Sequence, residues 1–332
     1  MCFKSLSVFV LILAASSSLP AHSAVRKVPQ QYPSIQAAVD AAVDGDTVRV
    51  AQGTYPENVT IAGKAISLIG AGAATTIIDG GGHDRGIAVL NVQPGTATIA
   101  GFTIRNGSAP GTEGGGLYAV DSNTIVRDNV LTANTACFGM ALSAVGGSLK
   151  LLRNWIVANA PVDDCGYEAV LLRMETESVI EQNVIANHQS SGVYIQTAAK
   201  IYFRRNVVRD NAENLVTAAR GWGGLGSYSS ELVLENNLFV NNSGSLVGAL
   251  FLGAADNGTQ ITRGNSFTSN TGSISSAVMF SGAPHDTNTN LFSDSQNVPE
   301  IDCGGNPLTI ARSNVFASDS NPSFSGPCSF EP

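Results

Sequence analysis

The sequence predicts an all-β chain: a single-stranded right-handed parallel β-helix, a solenoid of about ten coils with an N-terminal capping helix. An asparagine recurs once per coil, at Asn129, Asn154, Asn183, Asn206, Asn237, Asn265, Asn290 and Asn314, with spacings of 25, 29, 23, 31, 28, 25 and 24 residues. Two residues after each stands an apolar side chain: Leu131, Ile156, Ile185, Val208, Phe239, Phe267, Phe292 and Phe316. Five residues after each comes a turn-type polar group, at Asn134, Asn159, Asn211, Asn242, Asn270, Ser295 and Asp319, with His188 as the exception. A repeat whose length varies only by insertions is what loops on a stacked scaffold produce. Stacked asparagines satisfy backbone groups and one another about 4.8 Å apart, and they tolerate the left-handed backbone of a tight turn. Their role is therefore to hold turns.

The chain opens on a secretory leader over residues 1–24. Lys4 supplies the charge, Ser5–Ala15 the apolar run, and Ala21-His22-Ser23-Ala24 the small-residue exit, with cleavage after Ser23 preferred. The apolar run is too short to span a bilayer, and no later segment is long enough. Losing Lys4 takes the net charge from −8 to −9. Residues 25–332 read as one elongated β-helix domain.

Tyr32–Ala42 is the one amphipathic helix, capped by Ser34, with Ile35, Ala38, Val39 and Ala42 on one face. It serves as the lid that an open solenoid end requires. Strands follow at Thr47–Ala51, Val59–Ile61 and Ala65–Ile69. Further on, Val126–Val130, Ile180–Ile185, Ile201–Val208 and Leu232–Val240 are rich in β-branched and aromatic residues and end at Asn or Gly.

The opening carries a resemblance. Tyr32-Pro33-Ser34-Ile35-Gln36-Ala37-Ala38-Val39, Gly45-Asp46-Thr47-Val48-Arg49-Val50, Gly53-Thr54-Tyr55-Pro56-Glu57-Asn58-Val59-Thr60-Ile61 and Ile66-Ser67-Leu68-Ile69-Gly70 resemble the start of pectin-lyase-like β-helix proteins, pectinesterases among them. The likeness covers residues 28–80; the later coils match only as generic repeats. The tail around Asn290–Cys328 resembles, more weakly, the last coils of exported bacterial β-helix surface proteins. The pectinesterase catalytic motifs, such as Gly-Arg-Pro-Trp, do not occur here. The resemblance implies the fold, and the activity does not come with it.

Cys2 leaves with the leader, so Cys137, Cys165, Cys303 and Cys328 remain. An even count in an exported chain favours disulfides. Three pairings are possible. The intervals of 28 and 25 residues are each about one coil, which predicts Cys137–Cys165 and Cys303–Cys328.

The candidate chemistry gathers on two long insertions. The first holds Asp163, Asp164, Glu168, Arg173, Glu175 and Glu177. Paired carboxylates suit acid and base work on a glycosidic bond or oxygen coordination of calcium, the one cofactor the chain suggests; a solvated loop tied by a disulfide is the bland alternative. The second insertion holds Arg220-Gly221-Trp222-Gly223-Gly224, with Tyr228 after it. Trp222 serves either as a sugar platform or as a plug tucked under the loop. Lys200, Arg204, Arg205 and Arg209 form the densest basic cluster, and the alternating Glu181, Arg204, Glu235 and Arg263 read as a structural charge ladder. Asp163, Asp164, Arg173 and Lys200 are thus the candidate catalytic residues. Glu168, Arg220, Trp222 and Tyr228 are the candidate substrate-binding residues. With both insertions on the same side of the helix, they would wall a groove for one sugar chain.

No nucleophile elbow or phosphate loop occurs, and His83, His188 and His285 are isolated, so no histidine-based metal site is expected. The resulting reading is a secreted protein, periplasmic or at the cell surface, that binds polysaccharide as a monomer, with no nucleic-acid partner. The alternative is a lyase, hydrolase or esterase on an acidic glycan. A third class is the periplasmic maturation factor of β-helix type, such as those serving copper reductases.

Overall fold

The computed structural model describes residues 23–332 except 163–164, 166, 214–219, 230, 254–258, 282–284, 294–297, 306, 312, 317–323 and 331–332. The chain is a right-handed parallel β-helix. Successive coils stack into three sheets of eleven strands each. The first sheet runs from Val25–Val28 to His285–Asn288, the second from Gly53–Tyr55 to Val315–Phe316, and the third from Val59–Ala62 to Phe324–Ser325. The predicted leader lies, as far as residue 22, outside the described residues.

The capping helix is Ile35–Ala41, shorter than the predicted span. Ser34 remains extended and caps it, its Oγ accepting the Ala37 N–H at 3.1 Å. Glu57 then reaches up from the next coil, and its carboxylate takes the Ile35 and Gln36 N–H groups at 2.9 and 3.0 Å. An anion at a helix N-terminus satisfies donors that have no partner within the helix. The Gly-x-Tyr-x-Glu element is therefore a fold device that ties lid to coil.

The predicted strands around the asparagine ladder each split in two. Asn123–Arg127 and Val130–Thr132 replace Val126–Val130, and Glu231–Glu235 and Leu238–Val240 replace Leu232–Val240. The ladder asparagine sits at the corner between the first and second sheets. It does not itself carry the left-handed turn. The residue before it does, as at Asp128 (φ 57°), Arg153 (54°), Gln182 (59°) and Arg205 (53°). That residue points outward and bends the chain, which frees the asparagine to turn its amide inward. Each amide then links three coils. Asn206 Oδ1 accepts the Asn183 N–H and Nδ2–H at 2.9 and 3.0 Å, while its own Nδ2 donates to the Ile180 carbonyl at 2.9 Å.

A second ladder, starting at Asn134 and Asn159, lines the corner between the second and third sheets. His188 fills the asparagine slot there: its Nδ1 accepts the Asn159 N–H at 3.1 Å and its Nε2–H donates to the Ile156 carbonyl at 3.1 Å. Burial pushes this imidazole down to about 4, so it stays neutral and can accept. Ser295 and Asp319 lie outside the described residues.

Inside the coil the apolar residue after each ladder asparagine stacks on its successor. Phe239, Phe267, Phe292 and Phe316 form a column with centroids 5.2, 5.1 and 4.9 Å apart. Outside, Arg204 meets Glu235 at 2.8 Å and Arg263 meets the same carboxylate, while Glu181 pairs with Arg205 at 2.7 Å and not with Arg204. Cys137–Cys165 and Cys303–Cys328 are both bonded, with Cα atoms 4.8 and 5.5 Å apart, as the one-coil spacing requires. Among the described residues no helix is long and apolar enough to cross a membrane.

Candidate functional site on the outer face of the third sheet

Strands of the third sheet alternate inward and outward. Leu117 and Ala119 enter the core and Tyr118 faces out. The register carries that outward position along the sheet through Ser143, Leu171, Tyr194, Gly226, Phe251 and Met279. Arg173 occupies the outward position two residues after Leu171.

Both long insertions leave at the corner between the second and third sheets, and so do the strands of a small side sheet, Ser108–Glu113, Thr135–Phe138 and Ala160–Pro161. This arm folds back onto the face. Glu113 Oε1 pairs with Arg173 at 2.8 Å, and its Oε2 accepts the Ser143 hydroxyl at 3.0 Å. Phe138 stacks on Tyr167 at 4.8 Å, extending the wall. At the N-terminal end of the face, Arg85 lies 4.6 Å over the Tyr118 ring and donates to the Glu113 carbonyl at 2.9 Å. Asn58, Thr60, Asp84, Arg85 and Tyr118 line a cavity of about 270 Å³ there.

The second insertion lays Trp222 flat on the sheet. Gly226 makes room for it, since a Cβ on Gly226 would stand 1.9 Å from the indole. The ring stacks on Phe251 at 5.3 Å, and its Nε1–H donates to the Val193 carbonyl at 3.3 Å. Trp222 is only 3% exposed, so it is the tucked plug and its face is not open to a sugar. Covering apolar sheet surface is the larger gain for an indole. Tyr228 stays 40% exposed beside it.

Glu168 is fully buried at the edge of this face. Arg220 closes over it, with Nε 3.1 Å from Oε2, and the guanidinium lies over the Tyr167 and Tyr194 rings at 4.7 and 4.2 Å. Glu168 Oε1 has no hydrogen-bond partner. Burial raises the carboxyl to about 7, and the charge of Arg220 only partly opposes it. Glu168 is thus sealed beneath Arg220 and is not an open substrate ligand.

A raised carboxyl favours the folded state most below its unfolded value of 4.5, and that advantage is lost as pH rises through about 7. Glu168→Gln cannot ionise and removes this dependence. Relative to that variant, the wild-type chain is expected to lose about 3 kcal/mol between pH 4.5 and 8, checked by urea midpoints at both pH values. A constant difference between the two proteins would mean that Glu168 is not the buried acid described.

The face thus brings together Glu168, Arg173, Arg220, Trp222 and Tyr228 from the candidate set. Lys200 is elsewhere: it begins a strand of the first sheet, 3.4 Å from Glu231 and 5.5 Å over the Tyr202 ring. Asp163 and Asp164 lie outside the described residues. Sequence reasoning missed Glu113, Tyr118, Tyr167 and Tyr194. The signal for the outward row was present, because Tyr118, Ser143, Leu171, Tyr194 and Gly226 stand 11, 11, 12, 12 and 11 residues before the next ladder asparagine.

With this geometry in hand, comparison with known proteins gives one decisive result. The profile of the family described as periplasmic copper-binding protein (NosD) matches residues 39–247, more than half of the chain. The chain belongs to the NosD family. No curated protein matches it. Solved structures similar to this NosD-family chain include an alginate lyase from Paenibacillus sp. str. FPU-7, 14% identical, with a TM-score of 0.43 and coverage of 92% of this chain and 99% of that one. A pectin methylesterase in complex with a hexasaccharide is 11% identical, with a TM-score of 0.40 and coverage of 90% and 93%. The rice weevil pectin methyl esterase is 11% identical, with a TM-score of 0.41 and coverage of 92% and 88%. At these values the likeness is confined to the general fold. A periplasmic family and two disulfides are consistent with a periplasmic or extracellular location.

Proposed function

We propose that this NosD-family protein binds a polysaccharide chain along the outer face of the third sheet, in the periplasm or at the cell surface, without cleaving it. The observation that carries the reading is the set of accessible aromatic rings on one sheet face, with half-buried Tyr118 and Phe251 in register, Tyr228 40% exposed beside them and a folded-back arm as one wall. Tyr194, 5% exposed, supports the face from beneath Arg220 and Trp222. Tyr118 to Phe251 is five coil steps, about 24 Å, the length of a short oligosaccharide. Aromatic faces with a few placed polar groups are what a sugar chain, apolar on its C–H faces and polar on its edges, packs against.

Binding is favoured over turnover by the state of the carboxylates. Glycoside cleavage needs two carboxyl groups that reach the same bond. Beside the two insertions, Glu113 is tied to Arg173 and Ser143 and Glu168 is sealed under Arg220; Asp84 is open but stands at the N-terminal end of the face, 3.8 Å from Arg85.

The family name raises copper as a second reading, and the donors among the described residues do not gather into a site for it. Copper takes imidazole, thiolate and thioether ligands. Cys137, Cys165, Cys303 and Cys328 are oxidised to disulfides, and His188 is locked in the second ladder. Met140 and Met174 are buried in apolar clusters. Among the described residues no three His, Cys, Asp or Glu side chains gather as a ligand set.

A glycan array followed by titration calorimetry on the best ligand tests the proposal. Tyr118→Ala and Tyr228→Ala are each expected to weaken binding about tenfold, the typical cost of truncating a stacked ring, and Lys200→Ala to leave it unchanged. Wild-type affinity in both tyrosine variants would place the ligand elsewhere. Stoichiometric copper uptake in equilibrium dialysis, with no glycan bound, would return the function to the family name.

A further inference from the structure

We infer that Arg220 is the receptor for a uronate carboxylate on the bound glycan, and that Glu168 is the internal carboxylate competing with that group for the same guanidinium. The inference rests on the polysaccharide reading above and adds the substrate class and its regulation.

Arg220 is held as a rigid receptor. The guanidinium lies over both the Tyr167 and the Tyr194 rings, at 4.7 and 4.2 Å, and Glu168 Oε2 takes Nε at 3.1 Å. Among the described residues that leaves the Nη1 and Nη2 edge without a hydrogen-bond or ion-pair partner, on a side chain that is 22% exposed. A planar two-donor edge matches the two oxygens of a carboxylate. The ring contacts fix its orientation, so little rotamer freedom remains to be lost on binding.

Glu168 is a poor permanent counter-ion. It contacts Arg220 through one oxygen, and its second oxygen is buried with no partner. The charged groups facing it are Arg220 from the second insertion, Arg173 from its own strand and Glu113 from the arm, with the Tyr194 phenol from the neighbouring strand. Arg173 is already paired with Glu113, so Arg220 is the cation left to a ligand. Burial holds the Glu168 carboxyl at about 7, so near neutral pH it is neutral about half of the time and Arg220 is then uncompensated. A second carboxylate arriving on Arg220 raises Glu168 further, because like charges a few ångströms apart disfavour double ionisation. Binding therefore takes up a proton. Affinity is greatest at and below pH ~7 and falls as pH rises above it.

The test is calorimetry of the mature protein with hexagalacturonate and with the neutral cellohexaose at pH 6.0, 7.0 and 8.5. The expected result is at least tenfold tighter binding of the uronate, weakening about tenfold from pH 6.0 to 8.5. Glu168→Gln should keep the pH 6.0 affinity at every pH, and Arg220→Gln should lose the uronate preference. If Arg220→Gln fails to fold, repeating the wild-type titration at pH 7.0 in buffers of different ionisation enthalpy reads the proton directly, with net uptake expected. Equal affinity for the two hexasaccharides overturns the inference and leaves polysaccharide binding standing. Uronate binding with no pH dependence, or with a dependence that survives Glu168→Gln, overturns the Glu168 role. Binding of neither ligand overturns the inference together with the reading beneath it.

Discussion

Asn206→Leu is expected to cost about 4 kcal/mol, one of the largest losses from a single change in this chain. The side chain is 1% exposed and makes four hydrogen bonds across three coils. Leucine strands the Asn183 N–H, which no other described group replaces, and leaves the Ile180 carbonyl and the Asn237 amide short of a partner. Each buried group so orphaned costs roughly 1–3 kcal/mol. The contrast is Glu235→Ala on the outer face. Glu235 joins Arg204 and Arg263, whose side chains are 34% and 55% exposed, so its loss is expected to cost about 1 kcal/mol at most. Urea unfolding of the two variants measures the difference. Equal midpoint shifts would mean that the ladder amides are not the buried links described.

Phe267→Ala is expected to cost about 4 kcal/mol, by loss of transfer free energy and by the cavity left in the aromatic column. Phe267 is 1% exposed and stacked between Phe239 and Phe292 at 5.2 and 5.1 Å. The column is continuous, so neighbouring rings cannot close the gap without leaving their own contacts. Leu291 is the control: it lies one coil on, on the outer face of the same sheet and 39% exposed. Leu291→Ala should change stability by about 0.5 kcal/mol or less. A small loss in Phe267→Ala would show that the coil interior repacks freely.

The fold was legible because its two repeating constraints are local. A buried amide at every corner and an apolar side chain two residues later recur at a spacing that survives insertions, and the one-coil interval between cysteines sets both disulfides. The strand ends were less legible. Runs such as Ile201–Val208 look continuous in composition, and only the left-handed residue before each asparagine, Arg205 in that run, divides them. Arginine or alanine at such positions gives no propensity signal, because the ladder imposes the turn.

The candidate site was legible in part. Arg220, Trp222 and Glu168 stood out as unusual residues on long insertions, and the insertions do share one corner. Their roles depend on depth, which residue type does not give. Trp222 sinks because Gly226 lies beneath it, and Glu168 sinks because Arg220 covers it. Tyr118 and Tyr194 were missed because each is one tyrosine in an ordinary strand, and they become a row only in the register of the stacked coils.

Hydroxyl-radical footprinting with and without saturating glycan tests the central claim most directly. Tyr118 and Tyr228 report on the third sheet, and Trp155, 54% exposed on the second sheet, is the internal reference. The account predicts that glycan lowers oxidation of Tyr118 and Tyr228 and leaves Trp155 unchanged. Protection of Trp155 with both tyrosines still fully reactive would contradict it.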